Sequence, residues 1–360
     1  MSSMKRILIV AAGVSIGSLG VAIVPAAAQP VNTLYVSTSA TSDTGTCSTP
    51  ATACKTIDHA LSVAIPGDTI KVAAGTYNQT VVISIPIRLE GAGAAHTTLD
   101  GTGIDSSGPA YGVVYVGTTG GAVSVSGFTI TNPFPDSYTG GEPEIVALAD
   151  TNASDSVVIT KNVLTEGAVD TNAGTDFPIG IDTFNNKATT TITHNTVSGT
   201  FQGALLEDNG PVSFANNKIK NLITGTDTST DPATVYPPDG LFFLSDLSGS
   251  LTGQNATQNK FSNFAGFGIA MDAGYSNGNC SDTPCNGSIS GTISHNRFAL
   301  GGLAGTAAID LESQFAGNNL TASVNNNGGF VHSPSQAIDV VADGGTTNVT
   351  QSGNHIAVHS

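Results

Sequence analysis

The sequence predicts an all-β solenoid, and three observations carry that prediction. One phrase recurs down the chain: an apolar residue, polar residues, an Asn that closes the strand, and a second apolar residue two places on. Thr190–Ser198, Val157–Leu164, Val212–Ile219 and Gly291–Phe298 all spell it, with looser copies at 256–261 around Asn259, 324–330 around Asn325 or Asn326, and 349–356 around Asn354. A second strand type alternates with it, at Gly112–Val116, Glu144–Leu148, Gly180–Phe184, Gly203–Glu207, Gly240–Leu244, Gly268–Asp272, Ala308–Glu312 and Ala337–Val341. Composition is the third observation. With 43 Gly, no Trp and 11% charged residues, the chain favours short strands and turns over helices. Regular Val, Ile and Phe alternation supplies the core that a disordered Gly- and Ser-rich chain lacks. Such repetition marks stacked coils, each burying its apolar side against its neighbours.

Residues 1–28 are set apart as a signal peptide. Lys5 and Arg6 form a positive head, Ile7 to Val24 are apolar or small, and Ala26-Ala27-Ala28 before Gln29 fits a small-residue cleavage site. The competing assignment for so long an apolar run is an uncleaved membrane anchor. No later stretch is long and apolar enough to span a bilayer. The remainder, 29–360, is expected to be one domain, secreted or held in the cell envelope. Loss of Lys5 and Arg6 takes the formal net charge from −16 to −18, and such a surface argues against a nucleic-acid partner. In an oxidising compartment the cysteines fall into two close pairs, Cys47 with Cys54 and Cys280 with Cys285. Local pairing is the expected one of three connectivities.

The first strand is Leu34–Val36. After the Cys47–Cys54 loop, Ile57, Ala60, Leu61 and Ala64 recur at helical spacing, Thr56 can cap the helix start, and Pro66-Gly67 stops it. Asp68–Val72 and Val81–Leu89 are expected strands, separated by a turn at 74–77. A first coil has no neighbour above it, and one amphipathic helix covers its apolar end. The run Lys55–Leu61, then Pro66–Val72, then Gly75-Thr76-Tyr77 resembles the opening of right-handed parallel β-helix proteins. It is similar to the start of pectinesterases and of secreted families related to pectate lyases, the pectin lyase-like superfamily. The resemblance implies a right-handed, single-stranded parallel β-helix with a short N-terminal capping helix. Residues 31–101 would form the cap and first coils, and 111–360 about eight further coils, one for each copy of the second strand type. It implies no single activity, because that superfamily hosts lyases, hydrolases, esterases, epimerases and non-enzymes.

Side chains alternate across a strand and stacked coils lie about 4.8 Å apart, so parity assigns two outward columns on the second strand type. One holds Asp182, Leu205, Phe242, Ala270, Asp310 and Asp339; the other holds Phe184, Glu207, Leu244, Asp272, Glu312 and Val341. Ile269 and Met271 are expected in the core, Ala270 and Asp272 in water. Asn162, Asn195, Asn217, Asn259 and Asn296 form an expected internal ladder. Asn tolerates the left-handed turn that ends a strand, and its amide both donates and accepts along a stack. A structural role outweighs a functional one for that column. His194 and His295, several coils apart, are expected to be solvated turn residues.

Asp272, Asp310, Glu312 and Asp339 gather on this register within a patch on the order of 10 Å. They are the candidate catalytic groups and the candidate metal ligands. Like charges so close raise one another's pKa or recruit a cation, and calcium suits such hard carboxylate oxygens. The resemblance to pectate-degrading enzymes points the same way. The same acids suit an acid/base pair for glycoside cleavage, or a solvated face that keeps an exported protein soluble. Asp182, Phe184, Glu207, Phe242 and Tyr236 are candidate ligand-binding residues. Long connections at 133–143, 166–178 and 221–239 all lead into the acid-bearing strand, so they project from one side and wall a groove. They carry Phe134, Tyr138, Phe177 and Tyr236, which can stack on sugar rings or pack their own loops. The insert at 275–287 follows the acidic strand, with Cys280 and Cys285 tying it near Asp272.

Missing motifs bound the activity. Pectate lyases, which the chain resembles in fold, use Ca²⁺ and a basic residue to remove a proton next to a carboxylate. Here Arg88 and Arg297 are the arginines after the leader, and neither lies on the acid-bearing strand. After the leader the Gly-His-Gly of polygalacturonases and the Arg-Pro-Trp of pectinesterases are missing, as are a Gly-x-Ser-x-Gly elbow, a P-loop and a His-Glu-x-x-His zinc pair. The first expectation is therefore a secreted or cell-envelope β-helix protein that binds a polysaccharide, a cell-surface glycan or another surface without catalysis. The alternative is a carbohydrate-active enzyme, a polysaccharide lyase or glycoside hydrolase, working through the acidic patch. A structural spacer is a third reading.

Overall fold

Period-two alternation of Val or Ile with Ser or Thr makes strands with one apolar edge, and the Asn-marked corners turn them into a coil. The computed structural model describes residues 30–102, 112–131, 144–166, 178–207, 209–223, 225–227, 234–236, 238–245, 249–274, 287–301, 307–332 and 336–359. The expected signal peptide at 1–28, Cys280, Cys285, Phe134, Tyr138 and Phe177 lie outside them. Each coil contributes one strand to each of three all-parallel sheets. Among the described residues, sheet A has eleven strands, from Thr33–Val36 to Thr346–Ser352; sheet B has ten, from Gly75–Tyr77 to His355–His359; sheet C has nine, from Val81–Ile83 to Gln336–Asp343. The fold is a right-handed parallel β-helix, the hand expected of connections between parallel strands. Among the described residues no helix is long and apolar enough to cross a membrane.

The core is a set of vertical apolar stacks. In sheet A, Ile159, Ile192, Phe214, Ala256, Ile293 and Val324 lie in register and are buried. In sheet B the rings of Phe261 and Phe298 stack 5.3 Å apart. Each large apolar side chain so buried stabilises the fold by about 1.5–3 kcal/mol. Gly180, Gly203, Gly240 and Gly268 lie within one residue of the starts of four successive sheet C strands, where a Cβ would collide with its surroundings. A Cβ on Gly240 would collide with the Gly268 carbonyl and, at 2.6 Å, with the Phe261 ring.

The first phrase spans a sheet A strand, a corner and a sheet B strand, and its Asn lies inside that corner. The Asn195 backbone amide donates to Asn217 Oδ1 at 2.9 Å, Asn217 to Asn259 at 2.9 Å, and Asn259 to Asn296 at 2.9 Å. Asn162 begins the column, donating to Asn195 Oδ1 at 3.0 Å. Two further rungs follow, Asn296 to Asn327 and Asn327 to Asn354, both at 3.0 Å. Near the C-terminus the rung is thus Asn327, not Asn325 or Asn326. The left-handed residue is also not the ladder Asn but the one before it: Lys161, His194, Asn216, Gln258, His295 and Asn326 have φ between 54° and 58°. That kink aims the following Asn inward, which the Asn itself could not do while turning the chain.

At the N-terminal end helix α1, Ile57–Val63, buries Ile57 and Ala60, and Thr56 Oγ1 accepts from the His59 amide at 3.2 Å. Cys47 and Cys54 form a disulfide with Cα atoms 5.1 Å apart. Two expected elements differ. Gly75–Tyr77 is a sheet B strand rather than part of a turn. The 81–89 stretch splits into Val81–Ile83 in sheet C and Arg88–Gly91 in sheet A. Pro86, which has no N–H to give a ladder, lies between them. Within the 221–239 connection, Gly225–Asp227 and Thr234–Tyr236 pair as an antiparallel hairpin.

Candidate functional site on the acidic sheet

The nine strands of sheet C contain eight carboxylates and no Lys, Arg or His. Register places Asp182 beside Leu205, then Phe242, Ala270, Asp310 and Asp339; the neighbouring column runs Phe184, Glu207, Leu244, Asp272, Glu312 and Val341. Acids from distant parts of the chain become vertical neighbours in this way. Asp272, Asp310 and Glu312 each offer an oxygen within 4.8 Å of the others.

These outward positions are drier than parity implies. Asp272 is 5% exposed, Asp310 6% and Ala270 1%. Each has a coil on both sides, and a short side chain is shielded by its two vertical neighbours: Leu244 and Glu312 flank Asp272, while Ala270 and Asp339 flank Asp310. Burial, with the charges of Asp310, Glu312 and Asp239 behind it, holds the Asp272 carboxyl well above the usual carboxylate range. Asp310 is pushed up to about 7, first by burial and then by Asp339, Glu312 and Asp239. Asp272 Oδ1 is buried and accepts no hydrogen bond. An anion short of donors in a dry site either takes a proton or binds a cation. The trio of hard oxygens fits a divalent cation such as Ca²⁺, and Asp272, Asp310 and Glu312 are the residues that would hold it.

Asp339 stands apart from the trio. It accepts from Gln336 Nε2 at 3.2 Å and from the Val340 amide at 3.0 Å, and it acts on Asp310 only through charge. Asp182 lies in a separate hollow, its carboxyl hydrogen-bonded to that of Glu144 and raised to about 6, chiefly by burial. Phe184 is 59% exposed. Glu207 and Phe242 line the stretch between the two acidic places. The Tyr236 backbone belongs to the hairpin described above.

Two acids escape a parity reading. Asp239 sits in the corner before Leu241–Ser245, where its Oδ1 accepts from the Phe267 amide at 2.7 Å, and burial pushes it to about 7. Its signal was its place directly before one of the repeated strand-opening glycines. Glu144 opens its strand, and register sets it opposite Ile179 rather than Asp182. Alternation alone would turn it inward.

Residues 38–230 match the family described as "Protein of unknown function (DUF1565)". No curated protein matches the sequence. Among solved structures the chain is similar to a GH136 lacto-N-biosidase from Eubacterium ramulus, at 10% identity over 90% of this chain and 68% of that one, TM-score 0.39. It is similar to the catalytic domain of a GH87 α-1,3-glucanase, at 15% over 93% and 67%, TM-score 0.41. It is also similar to an alginate lyase from Paenibacillus sp. str. FPU-7, at 14% over 90% and 99%, TM-score 0.36.

Proposed function

The chain belongs to the DUF1565 family of proteins of unknown function, and we propose that it is an extracellular glycan-binding protein whose site is the outer face of sheet C. One observation carries the reading: a strip of Leu205 and Phe242, continued by the buried Ala270, leads to Asp272, Asp310 and Glu312, whose oxygens converge within 4.8 Å. Carboxylates accept hydrogen bonds from sugar hydroxyls, and an apolar strip contacts the C–H faces of the rings. Export is supported by the signal-like residues 1–28 and by the Cys47–Cys54 disulfide. The test is a glycan array followed by calorimetric titration, with and without Ca²⁺. Saturable binding that weakens in Asp272→Asn and Asp310→Asn supports the proposal. Flat curves on every glycan reject it and favour a spacer.

A second reading, glycoside hydrolysis, has an observation of its own. Asp310 is pushed up to about 7 beside Glu312 and Asp272, the range that suits a general acid. Oxygens this close suit the retaining arrangement, in which the carboxyls lie about 5–5.5 Å apart, better than the inverting one, which leaves room for water. Release of reducing ends, abolished in Asp310→Asn, would establish it; bound but uncleaved glycan would dismiss it.

A further inference from the structure

Three coils towards the N terminus from the trio, sheet C has a second concavity of about 360 Å³, lined by Tyr115, Glu144, Ala147, Leu148, Asp182 and Phe184 among others. Its floor is apolar and dry, with Ala147 4% and Leu148 1% exposed. Among its polar groups, the carboxyls of Glu144 and Asp182 are hydrogen-bonded to each other. Two carboxyls can bond only if one of them carries a proton. Asp182 Oδ1 nevertheless stays buried with no donor. Beside it the Phe184 ring stands in water, the most exposed of the large apolar side chains in sheet C. A buried acceptor lacking a donor and a bare aromatic face are what a sugar ring satisfies together, by one hydroxyl and one C–H face.

The charge pattern narrows the ligand further. No basic side chain occurs on the nine strands, so without a bound cation a uronan would bring carboxylates onto a face already crowded with them and find no partner. Leu205 and Phe242 bridge the two acidic places, a span of about 14 Å at one coil per 4.8 Å.

We propose that Tyr115, Glu144, Asp182 and Phe184 form a second sugar subsite, and that together with the trio it selects an extended, uncharged glycan over a uronan. This rests on the glycan reading above. The test titrates the full chain, in EDTA, with short and long gluco-, xylo- and manno-oligosaccharides and with oligogalacturonates of matched length. At least one long neutral series should bind at least about tenfold more tightly than its short members and than the oligogalacturonates. Phe184→Ala and Asp182→Asn should each erase about tenfold of the long-chain affinity, while Phe184→Tyr restores it. Phe184 is exposed, so its variants leave the fold intact even if Asp182→Asn does not. If both variants bind long chains as tightly as the wild type, or if oligogalacturonates bind equally well, the subsite is wrong while the glycan reading stands. If oligogalacturonates alone bind, only the subsite falls; if no oligosaccharide binds the wild type, with or without Ca²⁺, both fall.

Discussion

Asn217→Ala cuts the internal ladder at its middle. Asn217 is 1% exposed. Its Oδ1 accepts from the Asn195 backbone amide at 2.9 Å and from Asn195 Nδ2 at 3.1 Å; its Nδ2 donates to the Ile192 carbonyl at 2.8 Å and to Asn259 Oδ1 at 3.2 Å. Truncation removes all four bonds, stranding the Asn195 N–H and weakening the pairing of the Ile192 carbonyl. A buried group left unpaired costs about 1–3 kcal/mol, so two such groups set an upper range for the loss of about 2–6 kcal/mol. Asn354→Ala should cost about 1 kcal/mol or less, because the last rung is only half-buried and water can replace the amide. Asn217→Asp, which keeps the acceptor and loses the donor, should fall between. Urea unfolding gives the magnitudes. Amide exchange at Asn195 gives the location, since stacked repeats need not unfold together. A cost below about 0.5 kcal/mol for Asn217→Ala, or equal costs for Asn217→Ala and Asn354→Ala, would refute the ladder as a source of stability.

Gly240→Ala drives a methyl into the Gly268 carbonyl and the Phe261 ring, and should lower stability by about 1–3 kcal/mol in the same assay. Replacing Cys47 and Cys54 by Ser opens a loop with a sequence separation of 7, which should cost about 2–3 kcal/mol; reductant should shift the wild-type urea midpoint by a similar amount and leave the double variant unmoved. Asp310 moves from an ordinary 3.8 to about 7 on folding. The native state then binds the extra proton between those values, and stability from this group falls as pH rises, reaching its full loss above about 7. In EDTA the wild type should lose on the order of 4 kcal/mol relative to Asp310→Asn between about pH 4 and pH 8, and Ca²⁺ should recover part of it. A difference that grows the other way would overturn the assignment.

Most of the architecture was legible because its determinants are local. Alternation at period two set the outward columns, and register bears out each neighbour from Asp182 to Asp339 and from Phe184 to Val341. Thr56 marked the cap of α1 by chemistry that needs only three residues. What escaped depends on the third dimension. Three consecutive Asn at 325–327 satisfy the same pattern, and only the kink at Asn326 selects Asn327 for the rung. Asp272 belongs to an outward column but is dry, because burial there comes from coils tens of residues away. Asp239 and Glu144 act from a corner and a strand start, where parity has no authority.

A crystal structure of the chain bound to its tightest neutral oligosaccharide tests the proposed site most directly. The sugar should lie along the outer face of sheet C, with hydroxyls on Asp272, Asp310 or Glu312 and a ring against Phe184. Sugar seated on sheet A or sheet B, or the carboxylates of Asp272 and Glu312 pointing away from each other, would contradict it.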